Sequence, residues 1–515
     1  MHTATSHKVK ALMLQGTCSN AGKSLLAAAF CRMLARAGLR TVPFKAQNMS
    51  LNSFVTRQGG EMGRAQALQA EACFLEPDVR MNPVLLKPVS GLGSQLLLLG
   101  KPSGMLRTKD FQYFHYDLWT VIQNAYRDLS AEADVVVLEG AGSPAEINLR
   151  RHDIVNMRMA RFAKAQVLLC ADIDRGGAFA ALLGTMQLLT PDEQKLVRGF
   201  ILNKFRGDKS LLAPAIKSIQ QKSRRPFLGV VPWIDDLNLP DEDSVSLKRG
   251  ERYTSAPPPS YAHVLDLAIL DLPHVSNATD FDALSQEKDV RIRLIQQPQD
   301  FATPHCLILP GTRNTSEDLE YLRRTGLDTA IQRYAHTALK YGQGILIGIC
   351  GGFQMLGKEL DDPLGLEGKG RCLGLGLIPL ITKLSSRKTL CRRQGFSTKA
   401  LSSIELPVFG YEIHHGKSTV QEHLLTTVLR ADDGSPLGYG VRDSKGQVRI
   451  WGTYLHGIFD SDSFRQALCN SLRADAGLPA ADSNPYARHK SLDRLADCVE
   501  QAIPLTKILS LLKIG

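Results

Sequence analysis

The chain has 515 residues, which at about 150 residues per domain predicts roughly three domains. Hydrophobic residues make up 43% and charged residues 22%, a balance typical of globular proteins and not of disordered ones. No apolar run reaches the roughly 18 residues of a membrane span, and the N-terminus lacks a signal-peptide pattern, so we expect a cytoplasmic protein with no membrane partner.

The ten cysteines include no CxxC pair and predict reduced thiols. The net charge of +11 fits a solvated surface or a polyanionic ligand, but no basic run carries aromatic residues, so we expect no nucleic acid partner.

A glycine-rich loop opens the chain. A strand predicted at 9–14 leads into QGTCSNAGKS, and a helical pattern follows that ends at Gly38. Glycines let backbone N–H groups face a phosphate, the lysine reaches the outer phosphates, and the serine can bind magnesium. Strand, loop and helix together favour a phosphate-binding loop over a chance glycine turn. The predicted nucleotide contacts in this loop are Gly16, Asn20, Gly22, Lys23 and Ser24. Five residues separate the first glycine from GKS, a spacing that resembles the dethiobiotin synthetase-like branch of P-loop enzymes.

Two polar segments follow later strands of the first half. Glu139 follows the strand predicted at 134–138, at the end where α/β sheets bind ligands. By resemblance to the same branch, Glu139 and Ser24 bind Mg²⁺, and a helix-capping acid is the alternative for Glu139. Asn203 opens the segment NKFRGD and resembles a base-recognition residue, with a plain β-turn as the alternative. Because GTPases carry an aspartate where this segment has Arg206, adenine is favoured and ATP is the expected nucleotide.

The clearest break in the chain is ERYTSAPPPSYA at 251–262, since three consecutive prolines continue neither a helix nor a central strand. We predict a P-loop domain at 1–250, this linker, a second α/β domain at 263–480 and a helical tail at 481–515 with a helix over 492–512. The polar segment 383–398 predicts an exposed loop. Further strands are predicted at 166–170, 199–202, 228–231, 264–270, 306–309 and 345–349, and near 413 and 450.

The second half carries a cysteine at a sharp strand-to-helix turn. In ILIGICGGFQML, at 345–356, an apolar strand leads into Cys350 and two glycines. A helix N-terminus favours the thiolate, and the backbone N–H of Gly351 can donate to an oxyanion. The alternative is a buried core cysteine, which is the interpretation we give to the other nine.

The pattern from Gly348 to Gln354, GxCxGxQ, resembles the class I glutamine amidotransferases. By this resemblance, the segment LPGT at 309–312 supplies a second oxyanion-hole residue, Gly311, and GTYLHG at 452–457 supplies the base, His456. Two histidines in YEIHHG compete for the base, but they resemble a substrate-loop motif of the same enzymes. Class I enzymes carry a glutamate two residues after the histidine, whereas this chain has Ile458. Either another group orients His456 or the site is a Cys–His dyad.

Eleven sequence blocks in order resemble the cobyric acid synthase family, whose branch also lacks that glutamate. They cover nearly everything from residue 14 to about 460 and include PFKAQNMSLNS (43–53), GGEMGRAQALQAEA (59–72), EGAGSPAEINL (139–149), LPHVSNATDFDAL (272–284) and YEIHHGKS (411–418). The resemblance implies an α/β protein with two domains: an N-terminal P-loop parallel sheet like that of dethiobiotin synthetase, and a C-terminal flavodoxin-like class I glutamine amidotransferase domain. It also implies amidation of four carboxylates (b, d, e and g) of adenosylcobyrinic acid a,c-diamide, with ATP, Mg²⁺ and glutamine.

The expected chemistry joins the two halves. ATP phosphorylates a carboxylate, and ammonia released from glutamine by the thiol attacks the acyl phosphate. Lys45, Asn48 and Asn52 are candidate substrate or phosphate contacts, and Asp153 is a candidate for positioning the carboxyl group or ammonia, with a loop acid or helix cap as its alternative. One alternative function is that of the sister enzyme, cobyrinic acid a,c-diamide synthase, which is acidic where this chain reads KAQNMS. The other is a P-loop ATPase with a non-catalytic amidotransferase-like domain, which the intact cysteine and histidine disfavour.

Overall fold

The computed structural model describes residues 9–89, 93–106, 115–235, 237, 239, 263–367, 370–420, 425–482 and 485–514. These residues form two compact units: those within 1–56, 60–242 and 487–515 make up the first, and those within 57–59 and 243–486 the second. None of the helices within the described ranges has the length and apolar character of a membrane span. The predicted linker at 251–262 lies outside the described residues, and the predicted domain boundaries stay predictions.

The first unit is built on a parallel sheet. Its strands are β1 (Lys10–Gly16), β2 (Thr41–Phe44), β9 (Val135–Glu139), β10 (Gln166–Asp172), β11 (Val197–Phe205) and β12 (Phe227–Pro232), in the order β12-β11-β10-β1-β9-β2. The central strands are apolar along their length because helices cover both faces of such a sheet. Parallel pairing brings the ends of β1, β9, β10 and β11 to one edge, which is where the predicted nucleotide residues lie.

Smaller sheets and helices complete this part of the first unit. β3 (Gln47–Met49), β6 (Val84–Val89), β7 (Gly93–Leu98) and β8 (Lys101–Leu106) form a second sheet, and β4 (Ser53–Val55) pairs with β5 (Glu61–Gly63). The helices are α1 (Lys23–Arg36), α2 (Arg64–Ala72), α3 (His115–Ala131), α4 (Met157–Ala163), α5 (Ala178–Leu188), α6 (Pro191–Leu196) and α7 (Ala213–Ser223).

The second unit also has a parallel core. Its strands are β13 (Leu265–Leu270), β14 (Val290–Ile295), β15 (Cys306–Leu309), β16 (Ile345–Ile349), β17 (Glu359–Asp362), β18 (Gly370–Leu373), β19 (Leu380–Ser397), β20 (Pro407–Val420), β21 (Thr426–Ala431), β22 (Pro436–Arg442) and β23 (Val448–Thr453). The helices are α8 (Thr315–Thr325), α9 (Leu327–Tyr341), α10 (Gly351–Leu356) and α11 (Asp462–Asp475). The order β14-β13-β15-β16-β23 is that of a flavodoxin-like sheet, and a mixed extension continues from β23 through β22 and β21.

The prediction of an exposed loop at 383–398 is wrong, because most of this segment belongs to β19. It pairs with β20 in an antiparallel hairpin over most of its length. The hairpin extends beyond the apolar core, so many of its side chains are exposed or half-buried and polar residues suit them. Backbone pairing holds the strand there, and Arg393 lies 2.9 Å from Glu412 across the hairpin.

Two C-terminal helices, α12 (Arg488–Ala502) and α13 (Leu505–Leu512), pack in the first unit. The single helix predicted over 492–512 is interrupted at Pro504, which has no amide hydrogen to continue the first helix. Leu495 and Val499 are buried in the same apolar cluster as α1. The buried Arg32 of α1 adds an ion pair, with Nε 2.9 Å from Asp493 Oδ1.

The substitution Leu495→Ala is expected to lower the free energy of unfolding by about 2–5 kcal/mol, because it leaves a cavity where the side chain is 2% exposed. Urea denaturation of the full chain measures this loss. Leu211 is 78% exposed in the same unit, and Leu211→Ala should change stability by less than about 0.5 kcal/mol. Equal stability of the two variants would contradict a core role for α12.

Candidate functional sites

The phosphate loop joins β1 to α1 in the first unit. Gly22 has φ 90°, a conformation that favours glycine, and it precedes the first residue of α1. The Lys23 Nζ donates to the carbonyl oxygens of Cys18 (3.0 Å) and Gly142 (3.3 Å), so the ammonium spans the loop and the segment after β9. A Cβ atom on Gly16 would lie 3.1 Å from this Nζ. Gly16 and Lys23, both predicted nucleotide contacts, therefore lie side by side in the loop.

The segment after β11 is bonded to the phosphate loop. Asn203 donates from Nδ2 to the carbonyl oxygen of Ala21 at 3.0 Å. Lys204 donates from Nζ to the carbonyl oxygen of Asn20 (2.8 Å) and to Asp172 Oδ2 (2.9 Å). The predicted base-recognition residue and Asn20 are thus brought together at the edge of the sheet.

The substitution Gly22→Ala is expected to weaken ATP binding roughly tenfold or more. A Cβ atom there would lie 2.1 Å from Asn203 Nδ2, and the backbone φ is unfavourable for alanine. Isothermal titration calorimetry measures the affinity. Gly184, within α5, has open space around its Cβ position, so Gly184→Ala should bind ATP like the unsubstituted chain. Unchanged affinity in Gly22→Ala would contradict the assignment.

Glu139 is the centre of a buried polar network. Its Oε1 accepts from Ser24 Oγ and Lys45 Nζ, each at 2.8 Å. Its Oε2 accepts from Gln69 Nε2 (2.6 Å) and Gln66 Nε2 (3.4 Å). The Glu139 and Lys45 side chains are 0% and 2% exposed, so the carboxylate is compensated entirely by protein groups. No role was predicted for the two glutamines, although their i, i+3 spacing in AQALQAEA (65–72) places them on one helix face.

Serine and carboxylate oxygens here suit Mg²⁺. The Ser24 hydroxyl donates to Glu139 Oε1 at 2.8 Å, and hydroxyl and carboxylate oxygens are donors of the kind that Mg²⁺ prefers. Within the described ranges, no group of three or more His, Cys, Asp or Glu side chains could hold a metal ion. A site with one carboxylate fits an ion that keeps its waters and binds substrate phosphates.

The predicted substrate contacts fall in different places. Lys45 contacts Glu139, and Asn48 joins the same network because its Nδ2 donates to Gln66 Oε1 at 2.9 Å. Asn52 lies on the turn before β4, where its backbone N–H donates to Ser50 Oγ. Asp153 accepts from three backbone N–H groups at the start of α4, those of residues 155, 156 and 157. These contacts are those of the alternative interpretation, a loop acid or a helix cap. Burial raises the pKa of Asp153 above its usual range, although the three N–H bonds oppose the rise.

The thiol of the second unit lies where the sequence predicts it. Cys350 separates β16 from α10 with φ 51°, a strained conformation for a residue other than glycine. It is 7% exposed, and its Sγ lies 3.8 Å from the carbonyl oxygen of Ile413. His456 follows β23 and is held by backbone bonds with Tyr411, whose ring stacks on the imidazole at 5.4 Å.

The predicted oxyanion residues adjoin this pair. A Cβ atom on Gly311 would lie 2.9 Å from His456 Cε1 and 3.8 Å from Cys350 Cβ. A Cβ atom on Gly351 would lie 3.0 Å from the backbone nitrogen of Thr312. Only glycines fit where these backbones approach so closely. The competing histidines have other partners: His414 Nδ1 lies 2.7 Å from the carbonyl oxygen of Gly416, and the next histidine pairs with the carbonyl oxygen of Ser385.

Asp280 pairs with the imidazole of His456. Its Oδ2 lies 2.7 Å from His456 Nδ1, and its Oδ1 accepts from the backbone N–H of Gly457 at 2.9 Å. Both side chains are almost fully buried. Burial alone would lower the pKa of His456, but the Asp280 carboxylate and, after it, the negative charge that Cys350 can carry outweigh burial and raise that pKa to about 10. The arrangement therefore favours an imidazolium beside the thiol.

No sequence pattern connects Asp280 with His456, because Asp280 lies 176 residues before the histidine. Its block, LPHVSNATDFDAL, contributed to the family resemblance without an assigned role. Asn277 in the same block places its Nδ2 3.4 Å from His456 Nε2.

A phosphate loop in one unit and a Cys–His–Asp arrangement in the other define a glutamine-dependent, amide-forming synthetase. Residues 12–247 match the CobQ/CobB/MinD/ParA nucleotide binding domain, and residues 266–464 match the CobB/CobQ-like glutamine amidotransferase domain. The chain is 48% identical to the cobyric acid synthase of Nitratidesulfovibrio vulgaris, over 98% of this chain and 97% of that one. It is 45% identical to the cobyric acid synthase of Salmonella arizonae, over 98% of both chains, and 43% identical to that of Desulfitobacterium hafniense, over 97% of both.

The chain belongs to the cobyric acid synthase family, and its reaction is amidation in cobalamin biosynthesis. The predicted two-domain α/β architecture, with an N-terminal P-loop sheet and a C-terminal glutamine amidotransferase domain, is confirmed.

Proposed function

We propose that this enzyme amidates the b, d, e and g carboxylates of adenosylcobyrinic acid a,c-diamide to give adenosylcobyric acid, with ATP and Mg²⁺ and with glutamine as the nitrogen source. The observation that carries the proposal is the buried Cys350–His456–Asp280 arrangement in a chain that also has a phosphate loop. The names of the full-length relatives support the corrinoid product.

Glutamine hydrolysis begins at Cys350. The thiolate attacks the side-chain amide carbon of glutamine, and backbone N–H groups at Gly351 and Gly311 stabilise the oxyanion. The imidazolium of His456 gives its proton to the leaving nitrogen, which departs as ammonia. The thioester that remains is hydrolysed by water, for which the neutral His456 acts as base. Asp280 holds the ring so that Nε2 exchanges these protons with the reacting atoms.

Activation of the corrinoid carboxylate takes place at the phosphate loop. Lys23 and the backbone N–H groups of the loop bind the outer phosphates of ATP. The acceptor carboxylate attacks the terminal phosphorus, the bond from that phosphorus to the bridging oxygen of ADP breaks, and an acyl phosphate and ADP are formed. Ser24 and Glu139 would hold Mg²⁺, which supplies compensating charge for the transferring phosphoryl group. Ammonia then attacks the acyl carbon, and inorganic phosphate leaves.

Lys45 is positioned to act with these groups. Its ammonium lies 2.8 Å from the Glu139 carboxylate, so it supplies positive charge beside the residue proposed to hold Mg²⁺. A carboxylate substrate and a triphosphate both carry negative charge that such an ammonium stabilises. We propose that Lys45 contacts the phosphate or the acceptor carboxylate. Asn48 supports this site through its hydrogen bond to Gln66.

Mass spectrometry of the product tests the proposal. The protein is incubated with adenosylcobyrinic acid a,c-diamide, ATP, Mg²⁺ and glutamine. Four carboxyl-to-amide substitutions are the expected result. No change in that substrate, together with two substitutions in unamidated cobyrinic acid, would identify cobyrinic acid a,c-diamide synthase instead. An absence of glutamine hydrolysis and of amidation from either substrate would favour the non-catalytic alternative.

A further inference from the structure

Two loops of the second unit pair beside the thiol. Residues 271–277 follow β13, and residues 310–314 follow the neighbouring parallel strand β15. The backbone N–H of Ser276 donates to the carbonyl oxygen of Gly311 (2.9 Å), and that of Arg313 donates to the carbonyl oxygen of His274 (3.0 Å). Val275 and Thr312 form an antiparallel bridge between these two bonds. The two loops are therefore joined by backbone pairing on either side of Thr312.

Asp318 anchors both loops. It lies in the first turn of α8 and is 0% exposed. Its Oδ2 accepts from Thr312 Oγ1 at 2.5 Å, and its Oδ1 lies 2.7 Å from His274 Nδ1. The Thr312 hydroxyl also accepts from the backbone N–H of Asn314 at 3.1 Å. Hydrogen bonds to a carboxylate shielded from water are short and strong, so the loops are tied firmly to the helix.

The anchored loops contact the reacting groups. Gly311 directly precedes Thr312, and a Cβ atom on this glycine would lie 2.9 Å from His456 Cε1. An oxyanion is stabilised only by donors fixed where the charge develops, and small displacements of a donor weaken that stabilisation. The position of Thr312 therefore determines how well the Gly311 backbone meets the oxyanion.

We infer that Asp318 is a positioning residue for glutamine hydrolysis, which acts through the Thr312 hydroxyl to hold the oxyanion loop at Gly311. The inference rests on the proposed function of Cys350 and Gly311. It assigns to the Asp318–Thr312–His274 cluster a role in the transition state and not only in folding.

Threonine substitutions test this role in the full-length enzyme. Thr312→Val keeps the shape of the side chain and removes the hydroxyl, whereas Thr312→Ser keeps the hydroxyl. Thr325→Val is the matched control, because Thr325 lies on α8, the helix of Asp318, and its hydroxyl donates to backbone oxygens of that helix. The measurements are kcat and KM of glutamine hydrolysis and the rate of alkylation of Cys350 by iodoacetamide. Alkylation needs the thiolate but forms no oxyanion, so it reports on the Cys–His pair alone.

In Thr312→Val we expect kcat to fall about 10- to 100-fold. The fall is smaller than the roughly 10²- to 10³-fold fall seen when an oxyanion donor is removed, because here the donor is only displaced. KM and the alkylation rate should stay within about twofold, and Thr312→Ser should restore most of kcat. Asp318→Asn should lower kcat in the same way. Equal kcat in Thr312→Val and Thr325→Val would overturn the inference, as would an alkylation rate that falls in parallel with kcat. If the unsubstituted enzyme hydrolyses no glutamine, the proposed function itself fails, and the inference fails with it.

Discussion

Glutamine hydrolysis is expected to fall roughly 10³-fold or more in Cys350→Ala, while amidation driven by ammonium salts continues. Loss of the sulfur removes the only atom in this proposal that bonds to the glutamine carbonyl carbon, and neither His456 nor the oxyanion groups can replace it. The groups proposed to form the acyl phosphate, Lys23, Ser24 and Glu139, all belong to the first unit and are unchanged. Glutamate release and corrinoid mass, measured with either nitrogen source, separate the two activities.

Cys469 provides the matched control for this substitution. It is a fully buried cysteine on α11 of the same unit, and burial raises its pKa to about 12, so the thiol stays protonated at neutral pH. Cys469→Ala should retain its amidation activity within about twofold with either nitrogen source. Loss of ammonia-dependent amidation in Cys350→Ala would show that the thiol, or the fold around it, is needed beyond glutamine hydrolysis. Full glutamine-dependent activity in that variant would refute the assignment of the nucleophile.

Local patterns account for what could be predicted about the two sites. The phosphate loop and the turn at Cys350 each consist of a strand, a short glycine-containing segment and a helix, so neighbouring residues in the chain are also neighbours in space. A parallel sheet also allows some contacts between distant residues to be predicted, because it brings the ends of different strands to one edge. Glu139 and Asn203 could therefore be placed near the loop from their positions after predicted strands.

Contacts between distant segments could not be predicted in this way. Asp280 belongs to the segment after β13. Its carboxylate reaches His456 because of the path that this segment takes, which no local pattern predicts. The packing of α12 in the first unit depends on a partner helix, α1, more than 450 residues earlier, as the Arg32–Asp493 pair shows. The polar side chains of β19 predict a loop, whereas the strand is held by backbone pairing with β20.

Asp280→Asn is expected to lower kcat of glutamine hydrolysis roughly 10²- to 10⁴-fold with a small change in KM. Asparagine preserves the shape of the side chain, and its amide oxygen can still accept from Gly457 N–H. Its NH₂ group would then face His456 Nδ1 and donate to it, which leaves the ring proton on Nε2. A ring in that tautomer cannot accept the Cys350 proton. Asp289→Asn is the matched control, since it removes a carboxylate that pairs with Arg473 in the same unit and has no contact with the imidazole among those described.

The pH profile distinguishes this role from a general loss of structure. The pKa of His456 is raised to about 10, so the imidazolium persists through the neutral range and is lost as the pH rises through that value. Removal of the Asp280 charge lowers this pKa toward the ordinary value near 6.5, because the cost of burying the cation is then less well compensated. The alkaline limb of kcat should therefore move to lower pH in Asp280→Asn and stay in place in Asp289→Asn. A merely destabilised protein would lose amplitude at every pH without a shift of this limb, and that outcome would mean that the carboxylate supports the fold and does not set the protonation of His456.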